Sequence, residues 1–174
     1  TVLSLAVSPS ADRVYVGGSF ALVGSVSNPW LAKTDPTGAL IPVPWEQLQG
    51  VPLDLEVNPD GSRLAVAQSG AGNQGTWYNP VTGVRAWRQR CDGDAQAVHI
   101  VDGTMLTGFH EACDADVTQR LTSNDVVDGN RDVTFKPTFD RFWGVFGING
   151  DAERLVIVGD FASITVKPLS VNSP

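Results

Sequence analysis

The densest group of ionisable side chains in the sequence occupies two short segments, 88–94 and 110–116. Its members are two arginines, one histidine and five carboxylates: Arg88, Arg90, Asp92, Asp94, His110, Glu111, Asp114 and Asp116. Carboxylate oxygens suit hard cations such as Ca²⁺, although Asp92-Gly93-Asp94 alone falls far short of an EF-hand loop. The group is therefore a candidate ligand face, with a calcium site and a merely solvated loop as the alternatives.

Cys91 and Cys113 are the only cysteines, and each lies within one of these two segments. The dipeptide Asp102-Gly103 between them is a strong signal for a two-residue hairpin loop. Such a loop pairs Val101 with Thr104, so that opposed residue numbers add up to 205, whereas the two cysteines add up to 204. The pattern predicts a Cys91–Cys113 disulfide; two free thiols and a two-ligand metal site are the alternatives, and the latter is weak because structural zinc needs four ligands.

The five tryptophans raise the question of carbohydrate stacking. Trp45 and Trp87 follow similar upstream segments at similar distances, which indicates packing residues, and Trp143 beside a predicted strand is interpreted in the same way. Trp30 and Trp77 lie near loop–strand junctions and are the candidates for exposed aromatic contacts. A glycan is therefore kept as an alternative ligand.

Sequence signatures of catalysis are absent from the chain. There is no G-x-S-x-G, H-E-x-x-H, P-loop or dinucleotide-binding pattern. Of the two histidines, His99 lies in an alternating strand pattern and is interpreted as a structural or a surface residue. We accordingly predict no enzyme activity, no catalytic residue, no metal ligand and no cofactor, calcium excepted as the alternative already named.

The elements that would position these residues are repeated β-hairpins. The segments 5–16 and 55–66 align without gaps at an offset of 50, and both are a strand, a turn that contains proline, and a second strand. Further hairpins are predicted at 97–109 and 145–161. Apolar residues alternate along each arm, which is typical of half-buried strands.

Second halves repeat as well, at 30–38, 76–83 and 120–129. Four short strands in about 45 residues are typical of a β-propeller blade. The sequence predicts an all-β chain of four-stranded antiparallel blades, about three and a half in number, within a single domain 1–174. The repeats are approximately 1–50, 51–94, 95–142 and an incomplete 143–174. A β-sandwich would not explain the repeat, and a β-solenoid would have a shorter period.

The segment Val14 to Gly24, followed by Leu31 to Gly38, resembles the "YVGGxFxxVGG…LAxLDxxTG" repeat of bacterial β-propeller proteins of the delta-60 type. Val158 to Ile164 looks like a second copy that lacks one glycine. The second repeat departs from the pattern, with Gln68-Ser69-Gly70 where Gly-Gly-x-Phe is expected. The resemblance implies a secreted or cell-surface propeller, and it implies no known reaction.

Charge and repeat number narrow the classes of partner. A net charge of −7 argues against nucleic acid and anionic membranes, and no apolar run reaches the length of a membrane span. The fourth repeat is unfinished, because Pro168 makes 165–169 a poor central strand. We predict a non-catalytic module for protein interaction or structural assembly, in which another chain, a copy of itself or further blades completes the sheet. A lectin-like propeller and a propeller hydrolase or dehydrogenase are the alternatives.

Overall fold

In the computed structural model, residues 1–113 and 119–165 are described, and they form sixteen β-strands and no helix. The predicted all-β class is confirmed, and every pair of neighbouring strands is antiparallel. The described part of the chain accordingly holds no helix long and apolar enough to cross a membrane. Asp114, Asp116 and the segment 166–174, to which predictions were attached, lie outside the described residues.

The second repeat forms a four-stranded sheet in the order β6-β7-β8-β9. Its strands are β6 (Pro52–Val57), β7 (Leu64–Gln68), β8 (Gln74–Tyr78) and β9 (Arg85–Arg90). Asn58 to Arg63 close the first hairpin, and Gly61 adopts the positive φ of 74° that this turn requires. The predicted four strands per repeat are therefore present in this repeat.

The first and third repeats form three-stranded sheets. The first contains β1 (Val2–Val7), β2 (Val14–Gly18) and β5 (Leu31–Thr34), with the small hairpin β3 (Leu22–Val23) and β4 (Val26–Ser27) inserted between β2 and β5. The third contains β10 (Ala95–Val101), β11 (Thr104–Phe109) and β12 (Leu121–Asp125). A fourth strand was predicted in each of these repeats, but only an isolated bridge occurs there. The bridge joins Thr34 and Leu40 in the first repeat, and Asn124 and Arg131 in the third.

The fourth repeat was predicted to be an incomplete repeat with one hairpin at 145–161, and that hairpin is present. It contains the hairpin of β14 (Gly144–Gly150) and β15 (Leu155–Asp160), while β13 (Thr138–Phe139) pairs with β16 (Ile164–Thr165). β13 belongs to the predicted third repeat and β16 to the fourth, so that this two-stranded sheet joins segments from both sides of the predicted boundary at 142.

The hairpin that opens each of the four repeats has a β-bulge at the same place. The strands β1, β6, β10 and β14 each have one extra residue near their start, and these residues are Leu3, Leu53, Gln96 and Phe146. The bulge gives four equivalent strands a common reference point, so that residues can be matched between repeats. We call these four strands the first strands.

The core lies between successive sheets. The first strands β1, β6, β10 and β14 contact one another in chain order. Three clusters of buried apolar side chains separate the sheets, and their central members are Leu31 with Leu64, Trp77 with Phe109, and Leu121 with Val145. Each sheet inside this series therefore buries both of its faces.

Candidate binding surfaces

The Cys91–Cys113 disulfide is present and joins the end of β9 to the loop after β11, with the two Cα atoms 4.5 Å apart. Val101 faces Thr104 as predicted, but the bulge at Gln96 shifts the register, so that Ala95 faces Phe109. Beyond the bulge, opposed residue numbers add up to 204, which is the value that the two cysteines require. The bulge therefore supplies the one residue by which the simple hairpin register missed the pairing.

Asp94, His110 and Glu111 lie together at the end of the sheet beside the disulfide, and we call these three residues the rim cluster. The backbone N–H of Asp94 donates to Nδ1 of His110 at 3.0 Å, so the imidazole proton is on Nε2. Nε2 lies 3.3 Å from Oε1 of Glu111. The Asp94 carboxylate in turn accepts a hydrogen bond from the backbone N–H of Gly70 at 2.7 Å. Both ring nitrogens of His110 are thus occupied by neighbours.

Two exposed aromatic side chains stand beside this imidazole. The rings of Phe142 and Trp143 lie 5.5 Å and 5.8 Å from the ring of His110, and Trp143 is 56% exposed. Gly144 begins β14 directly after this turn, at a φ of +64°, and a Cβ there would lie 2.1 Å from the carbonyl oxygen of Phe109. The interpretation of Trp143 as a packing residue is wrong; the Trp-Gly dipeptide before a first strand is the only sequence signal for its position.

Of the other members of the predicted ligand face, the three that the structure describes, Arg88, Arg90 and Asp92, do not join this cluster. Arg88 and Arg90 lie in strand β9 rather than in the loop, on its exposed side. The backbone carbonyl of Asp92 accepts a hydrogen bond from Asn73 at 2.9 Å. Among residues 1–113 and 119–165 there is no group of three His, Cys, Asp or Glu side chains that could hold a metal ion.

The two tryptophans predicted to be exposed differ in their surroundings. Trp77 is buried and stacks on Trp87 with ring centroids 5.8 Å apart, so the prediction of an exposed aromatic contact at Trp77 is wrong. Its strand β8 is covered on both faces, which a strand pattern alone does not reveal. Trp30 is half-buried and lines a cavity of about 300 Å³, together with Asn28, Trp45 and Leu48.

The wall of this cavity carries one unused hydrogen-bond donor. The indole N–H of Trp45 is buried and has no partner within the described structure. Trp45 packs edge-on against Tyr78, with ring centroids 5.6 Å apart. Burial raises the pKa of Tyr78 to about 12, so its hydroxyl stays protonated and donates to the Glu46 carbonyl at 2.9 Å. The indole N–H of Trp45 is therefore a buried donor beside this cavity that a ligand could still satisfy.

The two ends of the series of sheets carry exposed apolar side chains. Counted from the bulge, Leu5, Leu55, Val98 and Ile148 occupy the same position in the four first strands. Leu55 is 6% exposed and Val98 and Ile148 are buried, because the preceding sheet covers them, whereas Leu5 is 61% exposed. We call Val2, Leu5 and Val7 the N-face.

The opposite end shows the same contrast. Tyr15, Ala65, Leu106 and Val156 are equivalent residues of the second strand of each hairpin. The first three are buried against the following sheet, whereas Val156 is 62% exposed. We call Val156 and Val158 the C-face. The N-face and the C-face are therefore the two halves of the interface that recurs between sheets inside the chain.

Polar side chains reinforce the junctions between first strands. Asp54 and Glu56 of β6 accept hydrogen bonds from the backbone N–H groups of Val98 and Ile100 in β10, both at 3.0 Å. Burial raises the pKa of both carboxyl groups, and His99, 3.1 Å from Glu56, opposes the shift. Nε2 of His99 lies 3.2 Å from the carbonyl oxygen of Gly150 in β14, and therefore carries a proton, because a carbonyl only accepts.

Comparisons with known proteins show the fold and nothing finer. No family model matches the chain, and no curated protein matches it. The computationally designed Ika4 protein is similar over 96% of this chain and 90% of its own, with 14% identity and a TM-score of 0.65. U3-55K and the RRP9 WD40 repeats give TM-scores of 0.68 and 0.67 at 10% identity; 91% of this chain matches each of them, but less than half of either protein's length is covered. The fold is thus β-propeller-like.

Proposed function

We propose that this chain is a non-catalytic, extracellular assembly module: a partial β-propeller of about three and a half blades whose two end faces bind further sheets of the same repeat type. The observation that carries the proposal is the contrast between Leu5 and Leu55, which occupy one repeat position and differ about tenfold in exposure. In the second, third and fourth sheets a neighbouring sheet covers the apolar residue at this position. A further sheet of the same type would cover Leu5 in the same way.

The energetics of the end faces favour association. Burial of apolar surface contributes about 25 cal/mol per Å², so that every 100 Å² or so of an end face that a partner covers contributes roughly 2.5 kcal/mol before the costs of association are subtracted. Extended apolar surface of this kind is rare on proteins that act alone. In a module that stays bound to further sheets, this apolar surface is removed from water.

The disulfide supports the proposed compartment. Bonds such as Cys91–Cys113 persist in oxidising environments and are rare in the cytosol of mesophiles. The net charge of −7 is unsuited to nucleic acid and anionic membranes. Both features support a secreted or cell-surface protein with protein partners, as the resemblance to the delta-60 type implies.

The rim cluster supports the absence of catalysis. Nδ1 of His110, the nitrogen that could take a proton from a substrate, already accepts the Asp94 N–H. A screen with glycoside, ester and sugar-dehydrogenase substrates is expected to give no turnover. Turnover that is lost in His110→Ala or Glu111→Gln would overturn this part of the proposal.

The apolar dye ANS, which fluoresces on exposed apolar surface, tests the end faces on the dilute chain. Leu5→Asp and Val156→Asp should each lower the fluorescence by about half, because each places a charge in one of the two faces and leaves the other intact. Val127→Asp is the matched control, since Val127 is exposed in a turn far from both faces. Fluorescence that is equally weak in all four proteins would contradict the proposal.

A glycan-binding module is the second candidate, and the cavity beside Trp30 favours it. Two indole rings and the unpartnered N–H of Trp45 offer the stacking surface and the hydrogen bond that a sugar ring uses. Tryptophan fluorescence titrated with a panel of neutral oligosaccharides tests this. Binding should be lost in Trp30→Ala and kept in Trp143→Ala; no response to any oligosaccharide excludes this candidate for the panel used.

A further inference from the structure

The residues equivalent to Glu56 form a series along the chain. Counted from the bulge, Ala6, Glu56, His99 and Asn149 occupy one position in the four first strands. Glu56 accepts a hydrogen bond from the N–H of Ile100, and His99 contacts the carbonyl of Gly150. The side chain at this position therefore binds the main chain of the next first strand at each junction where it is polar.

The two main-chain targets are themselves equivalent. Ile100 and Gly150 occupy the same repeat position, and the residue at that position in β1 is Val7. Hydrogen-bonded and non-bonded pairs alternate along an antiparallel ladder. Because the N–H of Ser8 bonds the carbonyl of Arg13, the pair Val7 and Val14 is non-bonded, and the N–H and C=O of Val7 point away from β2. Val7 thus offers the groups that Ile100 and Gly150 use.

Asn149 is the unused member of this series. It is exposed, and its amide has no partner among residues 1–113 and 119–165. An amide group both donates and accepts, so it can bond either main-chain group of Val7. Asn149 stands beside the C-face, and Val7 belongs to the N-face.

The apolar residues of the two faces match in the same alignment. At the junction between the third and fourth sheets, Leu106 clusters with Val145 and Ile148. Val156 is the equivalent of Leu106, and Val2 and Leu5 are the equivalents of Val145 and Ile148. A C-face set against an N-face would therefore repeat, position by position, a junction that already exists in this molecule.

We infer that the sheet that covers each end face belongs to a second copy of this chain, joined C-face to N-face, with Asn149 of one copy bonded to the main chain of Val7 of the other. The inference rests on the proposed function. Every copy carries both halves of the junction, so two copies related by a two-fold axis bury all four faces. Together they supply twice the four hairpins of one copy, within the range of about four to eight blades typical of propellers.

Sedimentation velocity at micromolar concentration tests the second copy. The wild-type chain should be a discrete dimer, while Leu5→Asp and Val156→Asp, each of which spoils both junctions of its own dimer, should be monomers. An equimolar mixture of these two variants should recover dimers, because one junction then joins two intact faces. Val127→Asp should dimerise like the wild type.

Other outcomes overturn the inference in distinguishable ways. A dimer of Val156→Asp would mean that two N-faces meet, and oligomers that grow with concentration would mean that the ring does not close. A monomeric wild type whose ANS fluorescence depends on Leu5 and Val156 would exclude the second copy and leave the proposed function standing. A monomeric wild type without such fluorescence would remove both.

The role of Asn149 has its own measurement. Each dimer contains two such junctions, so Asn149→Ala removes two hydrogen bonds and is expected to raise the dimer dissociation constant roughly thirtyfold. Asn149→His, which copies the residue at this position in the third sheet, should restore much of the affinity. Asn130→Ala, in a turn, is the control. An unchanged dissociation constant in Asn149→Ala would remove the bond to Val7 from the inference.

Discussion

The first strands of the first and second sheets have closely related sequences and opposite surroundings. Leu5 and Leu55 are the same residue at the same place, yet one faces water and the other lies in the core. The sheet before β6 covers Leu55 together with Leu64 and Tyr78. The comparison teaches that burial in this molecule belongs to the junction between two sheets and not to the repeat itself.

The first strands of these two sheets, β1 and β6, also differ in the polar side chains that they present to the next sheet. β6 presents Asp54 and Glu56 to the edge of β10, whereas β1 has Ser4 and Ala6 at these positions. Three of the four first strands thus meet through side-chain to main-chain bonds in the order β6, β10 and β14. The junction between β1 and β6 depends on apolar packing instead.

Truncation of the equivalent leucines should separate the two strands most clearly. Leu55→Ala is expected to lower the free energy of unfolding by about 3–5 kcal/mol, because it leaves a cavity in a closed junction. Leu5→Ala should change it by less than about 0.5 kcal/mol under conditions where the chain is monomeric. Urea denaturation measures both values, and equal losses would refute the difference between the two junctions.

Removal of the disulfide tests the junction between the second and third sheets. Replacement of Cys91 and Cys113 by serine should lower the free energy of unfolding by about 3 kcal/mol, because the bond closes a loop with a sequence separation of 22. Denaturation of the wild type under reducing conditions should give a similar loss. The double variant should be indifferent to reductant, and a wild type equally stable with and without reductant would show that the bond contributes nothing.

Glu56→Ala gives the second sheet the residue that the first sheet has at this position. It leaves the N–H of Ile100 and Nδ1 of His99 without their carboxylate, so the expected loss is about 2 kcal/mol. Glu153→Ala, on an exposed turn, should cost little and serves as the control. A loss as small as that of the control would mean that water replaces the carboxylate at the junction.

The smallest expected effect is a dependence on pH that comes from Asp54. Burial raises the pKa of this carboxyl above its ordinary value of 3.8. The folded chain then binds a proton that the unfolded chain has lost, so the stability from this proton is present at low pH and is lost as the pH rises through the raised pKa. The free energy of unfolding of the wild type, relative to Asp54→Asn, should fall as the pH rises above the ordinary pKa of 3.8. A difference that rises with pH would contradict this sign.

Local patterns predicted much of the fold. The alternation of apolar residues and the turns at 58–63 and 102–103 place all four hairpins, since strand and turn preferences depend on neighbouring residues. The cysteine register missed by one residue because the bulge at Gln96 has no local signature. The fourth strands of the first and third repeats were predicted from recurring segments, and there isolated bridges occur instead.

The candidate sites were less predictable, because they depend on contacts between sheets. The predicted hairpin at 97–109 lies between Asp94 and His110 in the sequence, so the proximity of these two residues could be predicted from it. Phe142 and Trp143 could not, since they reach His110 from the next sheet, over 30 positions along the chain. Trp77 was predicted to be exposed for the same reason: its strand shows no alternation that would identify a neighbour on both faces.

The sequence by itself therefore determined the hairpin that opens each repeat, its turn and the pairing of the two cysteines, all of which follow from backbone preferences and short-range register. The tertiary structure decided which copy of a repeated residue is buried. Leu5 and Leu55 have the same intrinsic preference for burial, and so do Leu106 and the equivalent Val156. The free energy of burial depends on whether another sheet removes water from the side chain, and that is a property of the neighbours and not of the residue.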